Sequence, residues 1–189
     1  MSSHHIVREN QEPALLIMDV DAISEDSLGQ LLEWSPIVVT IDANVDFLLS
    51  RGIKIDVVFT SELDFVIHQD GTLVLPIQQH VLLDALEYLK QKKQFALHIL
   101  WNEFPADALL EHSQAFTFAV YSRHFKYVIR SSFHKWMPQE SVMKVIAIIS
   151  DYATENLKSV SDGKYRAIAD GFVNIHSRSG NVLIIGEAL

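Results

Sequence analysis

Residues 37–64, IVVTIDANVDFLLSRGIKIDVVFTSELD, read as strand, acid-bearing turn, short helix, glycine stop and second strand, and this order constrains the fold more than any other feature. Ile37, Val38, Val39 and Ile41 make an apolar run of the kind that parallel sheets bury, and the run ends at Asp42. Val45, Leu48 and Leu49 recur at helical spacing, and Gly52 stands where a left-handed residue closes a helix. Residues 55–59 form the second apolar run and open into Thr60, Ser61, Glu62 and Asp64. Open α/β sheets collect ligands at the carboxyl ends of their strands, so Asp42 and the turn at 60–64 are the first candidates for chemistry.

The alternation continues on both sides. Residues 14–18 read as a strand, and Ser24 caps a helix with Glu25 and Asp26 in its first turn and a stripe of Leu28, Leu31 and Leu32. Residues 72–75 and 95–101 read as strands around an amphipathic helix at 78–93, whose Leu82, Ala85, Leu86 and Leu89 face inward. The expected fold is α/β: a Rossmann-like, mostly parallel sheet with helices on both faces, occupying residues 1–115. From 116 to 189 the pattern turns to short strands at 117–121, 126–130, 142–149, 165–169, 172–176 and 182–185, a small C-terminal all-β sandwich. Gly180 and Asn181 predict a hairpin between the last two of these.

With 49% hydrophobic residues, 189 residues suffice for one good core or two small ones. A formal charge of −9 with scattered Lys and Arg argues against a nucleic-acid surface. Lys90, Lys92 and Lys93 read as the solvated end of a helix. No cysteine is present, which removes disulfides, thiol nucleophiles and Cys-based zinc sites. No apolar run approaches the ~18 residues of a membrane helix, and no signal-like opening is seen, so a cytoplasmic location is expected. The nine histidines stand singly apart from His4-His5 and show no metal-binding spacing.

The same segments resemble the thiamine pyrophosphokinase family. Asp42-Ala43 stands where that family has Asp-Gly after its strand; Gly52-Ile53-Lys54-Ile55-Asp56 matches its next turn; Thr60-Ser61-Glu62-Leu63-Asp64 occupies its acidic loop. The opening SSHHIVRENQEPALLI, Ala85-Leu86-Glu87-Tyr88-Leu89, His98-Ile99-Leu100-Trp101, Phe133-His134-Lys135-Trp136, Thr154-Glu155-Asn156-Leu157 and Asp170-Gly171-Phe172-Val173-Asn174-Ile175 are similar to further blocks in the same order. The resemblance implies an α/β catalytic domain and a β-sandwich, a homodimer to which apolar residues of 116–149 would contribute, and transfer of a pyrophosphoryl group from ATP to thiamine with release of AMP. It further implies Mg2+ and ATP as cofactors, catalytic roles for Asp42, Asp64 and Asp107, metal ligation by Glu62 and Asp64, and substrate contacts from Trp136, Ser159 and Ser161.

The chain also departs from that pattern. Aligned without gaps, the family's loop acids fall on Ser61 and Leu63; its Asp-containing motif before the central helix falls on Gln78-Gln79-His80-Val81; and of its Gly-Arg-x-x-Asp-His block only Asp107 remains. Loss of acids, cation and glycine at three places implies an eroded Mg-ATP site. The alternative is a non-catalytic relative that binds a thiamine-like or nucleotide ligand or serves as a dimeric scaffold. A third reading takes Asp19 and Asp21 as the Asp-x-Asp of a haloacid-dehalogenase-like phosphatase, with Thr40 and Ser150-Asp151 as its other motifs. Against it stand Ile23 at a position where Thr or Val is usual and the β-rich second half. Asp84 reads as an exposed helix residue, and Trp34, Trp101 and Trp136 as core or interface packing unless a ligand ring stacks on them.

Overall fold

Five apolar segments of the first half become parallel strands in the computed structural model, which describes residues 12–34, 36–147 and 151–189. They are β1 (Ala14–Ile17), β2 (Val38–Ile41), β3 (Val57–Thr60), β4 (Leu73–Pro76) and β5 (Ala96–Leu100). Their order is β5-β1-β2-β3-β4, all neighbours parallel. The central strands β1 and β3 are buried at every residue, as the apolar ALLI and VVF segments require, with Thr60 at the end of β3 the one polar residue among them. Edge strand β4 is partly exposed and ends in Pro76, whose missing N–H an edge position tolerates. These elements form a first unit ending at Leu100; a second spans Trp101–Leu189.

Local chemistry sets the connections. The Ser24 hydroxyl accepts the Ser27 N–H at 3.2 Å and caps α1 (Glu25–Leu32). A 3-10 turn, Asp42–Asn44, leads from β2 into α2 (Val45–Ser50). Gly52 then takes φ +67°, while its N–H bonds Leu49 O and that of Ile53 bonds Leu48 O, closing the helix as expected. Helix α3 (Val81–Gln91) starts at Val81 and not at Gln78, because polar groups hold the preceding turn outside the helix. Asp84 Oδ2 accepts the N–H groups of Gln78 (2.9 Å) and Gln79 (3.3 Å), and His80 Nδ1 accepts that of Leu82. No helix joins β3 to β4; the loop of residues 61–72 is held by Gln69 and Thr72, which both donate to Ile55 O.

The second unit opens with α4 (Ala106–His112), which the sequence pattern did not reveal: it has seven residues and only Leu109 of them is fully buried. Nine strands follow: β6 (Thr117–Ser122), β7 (Phe125–Arg130), β8 (Ser132–Met137), β9 (Val142–Ile146), β10 (Tyr152–Glu155), β11 (Leu157–Ser161), β12 (Lys164–Ala167), β13 (Gly171–Ser177) and β14 (Leu183–Ala188). Six make an antiparallel sheet ordered β11-β12-β9-β14-β7-β6, and three make a second sheet ordered β10-β13-β8. Met143, Val145, Leu183 and Ile185 of the larger sheet share one core with Met137, Val173 and Ile175 of the smaller, which is the expected sandwich.

The predicted hairpin between residues 172–176 and 182–185 is not formed. Strand β13 pairs with β8 and β10, whereas β14 pairs with β7 and β9 in the other sheet. Gly180 does adopt φ +78°, so the turn chemistry was read correctly, but the chain uses it to cross from one sheet to the other. A stronger signal lay in Asp162-Gly163, which joins β11 to β12. Strands β8, β10 and β11 carry too many polar or exposed residues to stand out by apolar pattern. The expected strand at 142–149 is β9 as far as Ile146; residues 148–150, like the opening block at 1–11, lie outside the described residues.

Candidate functional site

At the carboxyl ends of β1, β2 and β3 a chain of side-chain hydrogen bonds ties three strands together. Thr40, the penultimate residue of β2, donates its hydroxyl to Ile17 O at 2.8 Å. Asn44, 8% exposed, directs its amide N–H2 to Ile17 O and Met18 O, both at 3.0 Å, and to Thr40 Oγ1 at 3.2 Å. Asp42 accepts the Ala43 N–H on Oδ1 at 2.7 Å and the Thr60 hydroxyl on Oδ2. Thr60 Oγ1 in turn accepts the Glu62 N–H at 3.0 Å. The register Ile41↔Phe59 causes this meeting, because it sets Asp42 and Thr60 side by side at the ends of adjacent strands.

The surroundings are acidic. Residues 18–24, 42–46, 61–68 and 77–84, which leave the carboxyl ends of β1 to β4, contain Asp19, Asp21, Asp42, Asp46, Glu62, Asp64 and Asp84 and no Lys or Arg. Such an edge attracts cations and accepts a polyphosphate only together with a counter-ion. Glu62 and Asp64 are exposed on the loop after β3, and between them Leu63 is fully exposed at 102%. Among the described residues, no group of three or more His, Asp or Glu is placed to hold a metal ion. Two hard carboxylates on one loop nonetheless have the chemistry magnesium uses when it keeps most of its waters and takes further oxygens from phosphate.

The remaining sequence-derived residues are spread more widely. Asp107 is exposed in the first turn of α4, in the second unit. Trp136 lies on β8, 53% exposed, opposite Phe172, so core packing is ruled out for it, as it is for Trp34 at 66%. Ser159 and Ser161 lie on edge strand β11 of the other sheet from Trp136, both exposed. Asp84 serves the turn before α3, as described above. Asp56 has a similar bracing role: its Oδ2 accepts the Val38 N–H at 2.9 Å and its Oδ1 pairs with Lys54. Of the phosphatase motifs, Thr40 is buried in the strand-end network and Ser150 lies outside the described residues.

Sequence reasoning passed over Asn44, and it read Thr40 only as a phosphatase motif and not as a tie between strands. The available signal was a polar residue where a buried strand turns into a helix, since such a residue must find partners there. Asn44→Ala is expected to cost about 1–3 kcal/mol, because it leaves the Met18 carbonyl without its amide donor in a partly buried place. Urea unfolding, with the midpoint compared against wild type, checks this.

The sequence matches no protein-family model and no curated protein. Solved structures do match. Thiamine pyrophosphokinase from Bacillus subtilis is 12% identical, with 93% of this chain and 98% of that one covered at a TM-score of 0.60. The yeast thiamin pyrophosphokinase is 10% identical, covering 97% of this chain and 88% of that one at 0.67. The Candida albicans enzyme gives 10%, 94%, 90% and 0.62. At these identities the likeness establishes the fold: both units of the chain follow the architecture of thiamine pyrophosphokinases.

Proposed function

We propose that this protein is of thiamine pyrophosphokinase type, handling a thiamine-like or nucleotide small molecule at the carboxyl edge of its parallel sheet. The observation that carries the reading is the fold shared over nearly the whole chain, α/β unit followed by sandwich, with an anchored Asp42 at the strand end where such folds place ligands. In the reaction of that type the hydroxyl oxygen of thiamine bonds to the β-phosphorus of ATP, the bond from that phosphorus to the AMP oxygen breaks, and the hydroxyl proton leaves to a base. Asp42, Asp64 and Asp107 are the proposed acids for positioning and proton acceptance, and Trp136, Ser159 and Ser161 the proposed thiamine contacts. Glu62 and Asp64 are the proposed ligands of Mg2+, which when bound supplies the charge that the phosphate oxygens need. A homodimer in the cytoplasm completes the proposal; no helix among the described residues is long and apolar enough to cross a membrane.

A second reading, a relative that binds without turning over, is favoured by one observation: the loop after β3 presents a fully exposed leucine between its two acids. Leucine cannot ligate magnesium. The deciding measurement is AMP formation from ATP and thiamine with and without magnesium, beside an active pyrophosphokinase. Because the loops at the carboxyl edge offer no Lys or Arg, turnover should be wholly magnesium-dependent. AMP and thiamine diphosphate in equal amounts uphold the enzyme; ligand binding without either product upholds the second reading.

A further inference from the structure

We propose that Thr60 is the positioning residue of the candidate site, holding the Asp42 carboxylate and the head of the Glu62 loop in a single arrangement. The functional part of this proposal rests on the reading above. A hydroxyl has one proton and two lone pairs. In Thr60 the proton goes to Asp42 Oδ2, and a lone pair takes the Glu62 N–H at 3.0 Å. With Ala43 N–H on Oδ1, both oxygens of Asp42 are engaged, and rotation of the carboxylate breaks at least one bond. Thr60 is the last residue of β3 and 4% exposed, and a β-branched side chain in a strand has restricted χ1, so the hydroxyl is held by the sheet and not by the loop it serves. A rigid element therefore sets, through one oxygen, the carboxylate at the end of β2 and the backbone from which the acid-bearing loop after β3 departs. Valine would fill the same space with neither donor nor acceptor; serine would keep both.

The test compares wild type, Thr60→Val, Thr60→Ser and Asp42→Asn. By NMR on labelled protein, Thr60→Val should speed exchange of the Glu62 amide by about tenfold and move the Asp42 carboxyl carbon signal, while Thr60→Ser leaves both near wild type. Thermal melts show that the variants are folded, and Thr60→Ala replaces the valine variant should that one not fold. An unchanged Glu62 amide and Asp42 signal in the variant lacking the hydroxyl overturns the proposal. Calorimetric titration with thiamine and with ATP plus magnesium chloride reads the functional part. Thr60→Val and Asp42→Asn should each weaken binding by about tenfold, with recovery in Thr60→Ser. Loss in Asp42→Asn alone overturns the positioning role while leaving the site standing. No loss in either variant, or no binding by wild type, overturns the site itself, with the NMR comparison still deciding the bond.

Discussion

Replacing Phe59 by alanine is expected to lower the free energy of unfolding by about 3–5 kcal/mol. Phe59 is 2% exposed and the largest fully buried side chain of the molecule's described residues. It stands on β3, paired on one side with Ile41 of β2 and on the other with Leu75 of β4, so removing its ring opens a gap inside the parallel sheet's core. The cost combines lost apolar transfer with the cavity left behind. Denaturant titration measures it, and a loss below about 1 kcal/mol would show that the sheet collapses around the gap. The same change reaches the candidate site, because the next residue is Thr60, whose hydroxyl donates to Asp42.

Gly163→Val is expected to cost about 3 kcal/mol or more and to act on the second unit. Gly163 lies in the turn between β11 and β12 with φ +65°, a region where a β-branched residue is strained. A Cβ there would lie 2.5 Å from the carbonyl oxygen of Val145, and that neighbour is backbone, not a flexible side chain. Val145 N–H also bonds Gly163 O at 2.7 Å, so the turn cannot move away without breaking a link to β9. Thermal unfolding should show a fall of several degrees in midpoint. Gly29 provides the contrast: nothing lies within 4 Å of a Cβ there, and in the middle of α1 its replacement by alanine should be neutral or mildly stabilising in the same melt.

Much of the first unit was legible in advance, and for local reasons. The runs at 37–41 and 55–59 are apolar except for Thr40 and Asp56, so burial on both faces was the consistent reading, and Ser24 and Gly52 marked helix ends by chemistry that acts within a few residues. Asp42 was legible as a candidate because strand ends are where ligands sit. The bond it receives from Thr60 was not, since it depends on which residues face each other across β2 and β3, eighteen positions apart in sequence. In the second unit the strands at 117–121 and 126–130 were legible, but β8, β10 and β11 have little apolar signal, and α4 is too short to show a period.

Hydrophobic pattern, turn residues and charge therefore determined, from the sequence alone, an α/β half followed by a β half, an acidic strand-end edge, and the residues worth testing there. Tertiary structure alone decided the pairing. The turn at 177–181 has the glycine a hairpin needs, yet Val173 and Ile175 must be buried against Leu183 and Ile185 from the opposite sheet, and the chain crosses the sandwich to do it. A turn residue specifies its own backbone angles; which strands become neighbours follows from the apolar surface buried between sheets, a sum over residues far apart in sequence.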